Sequence, residues 1–366
     1  MRRLRQAIVE RRGRAAAFRS GWMEGWRLGA CRGIEQAILP AAGLRRNARV
    51  LYVPQGFEAI DAGILEALQA NVAEVVLVGN EQVRFQAEQL KPDAVIVLNG
   101  VHLFAKDYLE QIDAVRRMGI KTAVWFVDDP YVTDDTVKLA PHYDFVFTHE
   151  RSCVRLYQSI GCAQAHHLPL AAHFGTFQPM PVARTYESDI CFIGTGFPNR
   201  IALFDQIAPY LKRRNVVIAG ALWNRMRNYR MIERFLIKEG VPVPESARYY
   251  NGAKIVINLH RTPGQSPENR NAIDWPAESI NPRTFDMSAC GTLQLTDERS
   301  ELRELYAVGS ELDVYRNAKD LLDRIDYYLS HDEERLKIAA RGYRRTRAQH
   351  TFDQRIKTML DILGIV

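Results

Sequence analysis

From Arg49 onward, short apolar runs alternate with longer stretches of helical period. Arg49–Val53, Val75–Val78, Ala94–Leu98, Lys121–Val127 and Phe145–Thr148 are apolar and rich in Val and Phe over the length of a buried strand. Between them lie segments such as Asp107–Met118, whose apolar residues fall three and four apart. A second series runs through Asp189–Ile193, Val216–Ala219, Ile255–Leu259 and Thr292–Leu295. Strands that alternate with helices predict parallel sheets covered on both faces. The two series are separated by Pro169–Glu187, rich in Pro and Ala, which reads as a linker. Helices over Lys319–Leu329 and Asp332–Leu363 close the chain.

The segment before the first strand differs in kind. Arg2–Ala42 predicts one or two helices, with Gly21, Gly25, Gly29 and Gly33 at every fourth position and Trp22 and Trp26 one place along. Each glycine costs a helix about 1 kcal/mol relative to alanine, so the smooth ridge is expected to pack on something. Docking on the body and a homodimer contact are the two uses open to it. Arg19, Glu24, Arg27 and Arg32 interrupt the ridge and exclude a membrane-spanning G-x-x-x-G helix.

At 366 residues, 47% of them hydrophobic, the chain is long enough for two domains with separate cores. Charge is unevenly placed. Residues 1–47 hold eleven arginines and three glutamates, a net of +8 within a total of +6, which leaves the remainder at −2. Such an arm suits a peripheral membrane or other anionic surface, or is simply a solvated helix face. The N-terminus lacks the apolar stretch of a secretory signal, so a cytoplasmic location is expected. Five scattered cysteines, none spaced as C-x-x-C, favour neither a disulfide framework nor a zinc site.

The chemistry concentrates in Glu278-Ser279-Ile280-Asn281-Pro282-Arg283-Thr284-Phe285-Asp286-Met287-Ser288-Ala289-Cys290-Gly291. Two acids eight residues apart span just over two helical turns. If the segment is helical, Glu278 and Asp286 face one ligand, with Asn281 and Arg283 at the same end. Carboxylates suit sugar hydroxyls and a guanidinium suits phosphate. Read alone, the segment is equally an ordinary helix start.

This phrase resembles the E-x7-E signature of retaining GT-B glycosyltransferases, with Asp286 one methylene shorter than the usual second glutamate. Phe192–Arg200, Tyr250–Arg261 and Thr351–Arg355 are similar, in order, to the CgeB-like spore maturation glycosyltransferases. The resemblance implies an α/β chain of GT-B type: two Rossmann-like doubly wound parallel-sheet domains facing across a cleft, with an N-terminal helical extension. The expected boundaries are 1–47 for the extension, 48–175 for the acceptor-side domain and 185–345 for the donor-side domain. Residues 346–366 are then a helix packing back on the first domain.

The same resemblance assigns Asp286 and Phe285 to the nucleotide and Glu278 to the donor sugar, and implies retention at the anomeric carbon. Among the residues themselves, Gly194-Thr195-Gly196 form a turn whose N–H groups can approach a phosphate, with Arg200 following. Asn258 and His260 end a strand and project toward the cleft, and the loop Thr262–Asp274 is placed to close over donor or acceptor. Asp128 and Asp129 are adjacent, so only one is expected to face the cleft; were the reaction to invert the anomeric carbon, one of them, or His149, would be the general base, the other use being acceptor binding or loop capping. No metal is expected, positive side chains and helix ends taking its place at the diphosphate. A nicotinamide cofactor is disfavoured because Asn199 replaces the third glycine of G-x-G-x-x-G.

These features point to a glycosyltransferase moving a sugar from a nucleoside-diphosphate sugar, UDP being the expected nucleotide, to a hydroxyl on a glycan, protein or small molecule. Spore-surface or cell-envelope glycan synthesis is the setting the resemblance implies, and no nucleic-acid partner is expected. The alternative is a protein of the same fold that binds nucleotide sugars or carbohydrate without catalysis.

Overall fold

The computed structural model describes residues 2–38, 45–264 and 266–366. A long helix, α1 (Arg2–Ala37), leads into β1 (Arg46–Val53), α2 (Glu58–Asn71), β2 (Val72–Leu77), α3 (Val83–Leu90), β3 (Ala94–Leu98), α4 (Tyr108–Arg117), β4 (Lys121–Phe126), α5 (Thr133–Leu139), β5 (Phe145–Thr148), α6 (Arg151–Ser159) and β6 (Ala165–His167). The second half runs through β7 (Ser188–Ile193), α7 (Pro198–Leu211), β8 (Val216–Ala219), α8 (Tyr229–Ile232), β9 (Leu236–Ile237), α9 (Val243–Gly252), β10 (Ala253–Asn258) and α10 (Pro282–Ala289). It ends with β11 (Leu293–Asp297), α11 (Leu302–Leu305), β12 (Asp313–Tyr315), α12 (Ala318–Ser330), α13 (Asp332–Gln349) and α14 (Phe352–Ile362).

Each half forms a six-stranded parallel sheet, ordered β2-β1-β3-β4-β5-β6 and β12-β11-β10-β7-β8-β9. Strand order reverses between β1 and β3 in the first sheet and between β7 and β10 in the second. Such switch points open a crevice at the carboxyl ends of the strands, which is where open α/β sheets bind ligands. The central strands are buried on both faces: every residue of β3 is buried, and so are nearly all of β4. That double burial explains why they read as unbroken apolar runs. The three strands missed in sequence, β6, β9 and β12, are edge or near-edge strands of two or three residues, too short for a periodic signal.

The expected final helix over Asp332–Leu363 is two helices. Thr351 and Gln354 form a capping box, each satisfying the other's backbone N–H, and this starts α14 afresh after His350. α14 then packs on α2, where Phe352 lies so close to Gly63 that an added Cβ would sit 2.3 Å from its ring. Asn71 donates to Asp353 at 2.7 Å, Lys121 to the Leu363 carbonyl at 2.7 Å, and Arg46 pairs with Asp361. The chain's end is thus fastened to the first sheet.

α1 docks on the second domain, chiefly along α13, where Arg19 pairs with Asp332 and Glu35 with Arg347, but not through its glycine ridge. A Cβ at Gly21, Gly25, Gly29 or Gly33 would meet nothing within 4 Å. The docking face is the other one: Arg27 is buried and donates to Asn251, the Cys290 carbonyl and the Met180 carbonyl, and the Cys31 thiol packs on Gly291. Residues 39–42 of the expected helical segment lie outside the described residues.

Candidate functional site

At the switch point of the second sheet, Arg200 ties the two sides together. It is buried, and donates from Nε and Nη2 to the Leu259 carbonyl (3.1 and 2.9 Å) and from Nη1 to the Thr195 carbonyl (2.9 Å). Those three bonds commit it to positioning two loops, where the expectation was a phosphate contact. The glycine turn is similarly committed. Gly194 N donates to the Ala219 carbonyl and Gly196 N to the Ala221 carbonyl, both at 2.8 Å. Gly220, at φ +139°, lets the β8 turn approach so closely that a Cβ there would lie 2.3 Å from the Gly194 oxygen. The turn is therefore a packing junction for two of its three N–H groups.

The amides expected to reach ligand also serve position. Asn258 and Asn281 exchange hydrogen bonds, Nδ2 to Oδ1 at 3.2 Å and 2.9 Å, and Asn258 also donates to Thr284 Oγ1 at 3.0 Å. Asn281 Oδ1 in turn accepts from Thr284 N and caps α10. Phe285 is fully buried against Tyr306 and His350 and belongs to the core. What this network delivers is a fixed α10 with Arg283 and Asp286 one turn apart.

Those two side chains point usefully. Arg283 Nη1 reaches the Ile193 carbonyl at 3.1 Å, at the end of β7, and would crowd any side chain at Gly194. Asp286, half-buried, lines a cavity of about 540 Å³ between the two sheets' domains, and no hydrogen bond reaches its carboxylate from the described residues. Burial pushes its pKa well above the usual carboxylate range, against the pull of Arg283. Val241, Pro242 and Val243 form an apolar wall of the same cavity, and Phe57, Asp128 and Phe177 close it from the first domain and the linker. The volume suits a small organic ligand.

Glu278 does not share that cavity. α10 begins only at Pro282, so the four residues before it are non-helical and the eight-residue spacing does not put both acids on one face. The Glu278 carboxylate lies 3.6 Å from Arg151 and from Arg155 on α6, and its backbone N donates to Glu150 at 3.0 Å. Glu150 also accepts from Ser279 N, and Ser152 Oγ donates to the Pro276 carbonyl, so this stretch clamps one domain to the other.

Arginines the sequence reading passed over complete the site. Arg261 lies between the rings of Tyr131 and Phe197, at 4.7 and 4.4 Å, one from each domain. Arg299 donates to the Arg261 and Ala277 carbonyls. Nε of Arg261, Nε of Arg299 and Nε2 of His260 are all buried without a partner. His260 is held by Asp297, and burial lowers its pKa, with Arg299 and Arg283 adding to the effect against Asp297. Burial also depresses Arg200 and Arg261. Arg283 and Arg299 thus act on one imidazole with Asp297 as the adjoining carboxylate, and the unpartnered Nε–H groups of Arg261 and Arg299 are donors an anion would satisfy. Arg261 closes the segment Tyr250–Arg261 that carried part of the resemblance, and the signal for Arg299 was its place just after β11.

On the first-domain side, Asp128 and Asp129 diverge as alternation requires. Asp129 is buried and accepts from Thr136, Thr148 and Tyr157, and His149 is buried with Nε2 on the Asp129 carbonyl. Neither lines the cavity that Asp128 and Asp286 share, unlike the expectation for a base there. Asp128 keeps 34% of its side chain exposed, bonded to Asn99 at 2.7 Å and 3.8 Å from His102. The loop after β10 crosses over to this domain: Arg270 N donates to the Tyr131 carbonyl, Thr133 to Asn271 and Ala272 N to Asp134.

Residues 200–361 match a family model described as glycosyl transferase-like. The spore protein CgeB of Bacillus subtilis (strain 168) is 27% identical over 317 residues, covering 84% of this chain and 96% of that protein. Among solved structures, sucrose-phosphate synthase from Thermosynechococcus elongatus superposes with a TM-score of 0.59 at 10% identity, covering 87% of this chain and 98% of that one. Anabaena Alr3699/HepE, solved in complex with UDP-glucose, gives 0.59 at 8% identity, covering 87% and 100%. The chain is thus similar to spore protein CgeB over most of its length, shares the GT-B fold of these solved structures, and matches a glycosyl transferase-like model across residues 200–361.

Proposed function

We propose that the protein transfers a sugar from a nucleoside-diphosphate sugar to a hydroxyl acceptor, with UDP as the nucleotide. The observation that carries this reading is an unspent carboxylate, Asp286, with Arg283 one helical turn before it, together with Arg261 and Arg299, whose buried Nε–H groups lack partners. A ribose diol satisfies a carboxylate that accepts nothing else, and a diphosphate satisfies orphaned guanidinium donors. The apolar wall at Pro242 and Val243 suits the flat face of a base. That Alr3699/HepE, which shares the fold, was solved in complex with UDP-glucose supports a nucleotide-sugar donor.

In the reaction, the glycosidic bond to the diphosphate breaks and charge develops on the leaving oxygen. Arg283, Arg261 and Arg299 are assigned to that charge: they are held by hydrogen bonds and ring contacts before substrate arrives, and oriented cations lower such a barrier. Asp128, the carboxylate on the opposite wall, is assigned to hold and orient the incoming hydroxyl, whose proton leaves with the diphosphate as the new glycosidic bond forms on the face the diphosphate vacates. We further propose that the transfer retains the anomeric configuration, on the strength of the acid-spacing resemblance around Asp286, and that the product belongs to spore-surface or envelope glycan. The test is incubation of the purified chain with UDP-sugars. Release of UDP with transfer to a simple acceptor supports transfer; tight UDP binding with neither hydrolysis nor transfer would identify a binding protein instead.

A further inference from the structure

α1 has two faces, and only one is used by the body. Met23, Arg27 and Cys31 face the second sheet at the starting ends of β7, β10 and β11, beside Ser188, Ala253 and Gly291. The opposite face carries Phe18 and Trp22, 76% and 55% exposed and four residues apart, so their rings lie along the same side of the helix. Gly21, Gly25 and Gly29 flank them, exposed and open, and Arg14 and Arg32 are exposed on the same helix. Among the described residues no helix is long and apolar enough to cross a membrane.

Charge decides what this face meets. Residues 1–47 carry +8 while the rest of the chain carries −2; Arg19, Arg27 and Arg46 are spent on the body, and eight of the eleven arginines remain besides them. A second copy would bring two such segments together, so charge opposes a self-complementary contact. An anionic surface is drawn to it, at roughly 1 kcal/mol for each arginine near a charged bilayer. Two exposed aromatic rings gain further by entering the boundary between headgroups and acyl chains, where one side of a ring is apolar and the other wet.

We propose that the free face of α1 lies on an anionic lipid bilayer, with Phe18 and Trp22 inserted at the headgroup level and the flanking arginines on lipid phosphates. Because α1 docks at the starting ends of the second sheet's strands, the cleft at their carboxyl ends faces away from the bilayer. The arm holds the protein at the surface, and the acceptor reaches the cleft from the aqueous side.

The test is flotation of the full chain with vesicles of phosphatidylcholine alone or with phosphatidylglycerol added, at low and high salt. Binding should need the anionic lipid and weaken with salt. The Phe18→Ser/Trp22→Ser double variant should lose about tenfold or more in partitioning while binding UDP as before, which shows that it folds. Equal flotation with neutral and anionic vesicles, or no loss in the double variant, overturns the proposal. Retention on single-stranded RNA without vesicle binding, or a dimer in solution that the double variant dissolves, overturns it in favour of a nucleic acid or a second copy.

Discussion

Asp297 Oδ1 accepts twice from one residue, His260: from its backbone N at 2.8 Å and from its Nδ1 at 2.6 Å. The bond fixes the tautomer, so a neutral imidazole presents a lone pair at the buried Nε2. Burial holds His260 below its ordinary pKa, with Arg299 and Arg283 acting in the same direction, Asp297 opposing them, and Arg200 and Arg261 nearby. A diphosphate entering this cluster would offset the guanidinium charges, and the imidazole pKa would rise. UDP binding is therefore predicted to take up a proton and to tighten as pH falls below neutrality, the sign set by a higher pKa in the complex. Calorimetry in buffers of different ionisation enthalpy measures it; an enthalpy independent of buffer would refute the coupling while leaving UDP binding itself intact.

The neighbouring acids of the first domain are predicted to separate cleanly. Asp129→Asn removes one oxygen from a buried site that accepts three hydroxyl hydrogens and should cost about 2 kcal/mol or more in urea unfolding. Asp128→Asn should leave unfolding nearly unchanged and lower transfer to the acceptor, with UDP affinity preserved. Equal loss of stability in both variants would contradict the assignment.

Arg200 and Arg283 form a second such pair. Arg200→Met strands the Leu259 and Thr195 carbonyls, and about 3 kcal/mol of stability should go with it. Arg283→Ala gives up one bond to a half-buried carbonyl, and its main effect should be about a tenfold loss in UDP affinity. Thermal unfolding with and without UDP distinguishes the two.

His350 supplies a test of the fold under acid. It is buried, donates from Nε2 to the Leu305 carbonyl at 3.1 Å and accepts at Nδ1 from Arg355 at 3.0 Å, so it is fully satisfied as a neutral ring. Burial, reinforced by Arg355, lowers its pKa to about 4. The unfolded chain, with a histidine pKa of about 6.5, takes the proton first, so stability is complete above that pH and falls as pH drops toward 4. The loss should reach about 3 kcal/mol at pH 4, and His350→Gln should flatten that slope.

Both sheets were legible because their central strands are buried on two faces and therefore written as apolar runs; β3 and β8 were located to the residue. Short edge strands such as β9 carry no period to read. At the site, the position of Asp286 was readable from the phrase around it, whereas the fates of Arg200, Asn258 and Asn281 were not. Each has the chemistry of a ligand contact, and each spends it on a backbone or amide partner distant in sequence. Arg261 and Arg299 were hidden for the converse reason: nothing local marks an arginine whose importance comes from two domains meeting around it.

The account rests on a nucleoside diphosphate gripped by Asp286 and the arginines beside it. Titration of UDP into the wild-type chain and the Asp286→Ala variant by calorimetry addresses that directly. Because Asp286 accepts no hydrogen bond from the described residues, the variant should fold as stably as the parent. The wild type should bind UDP and the variant should lose about tenfold or more in affinity, the worth of a charged hydrogen bond to a ribose hydroxyl. Equal affinity in the two proteins, or no binding of UDP to the wild type, would contradict it.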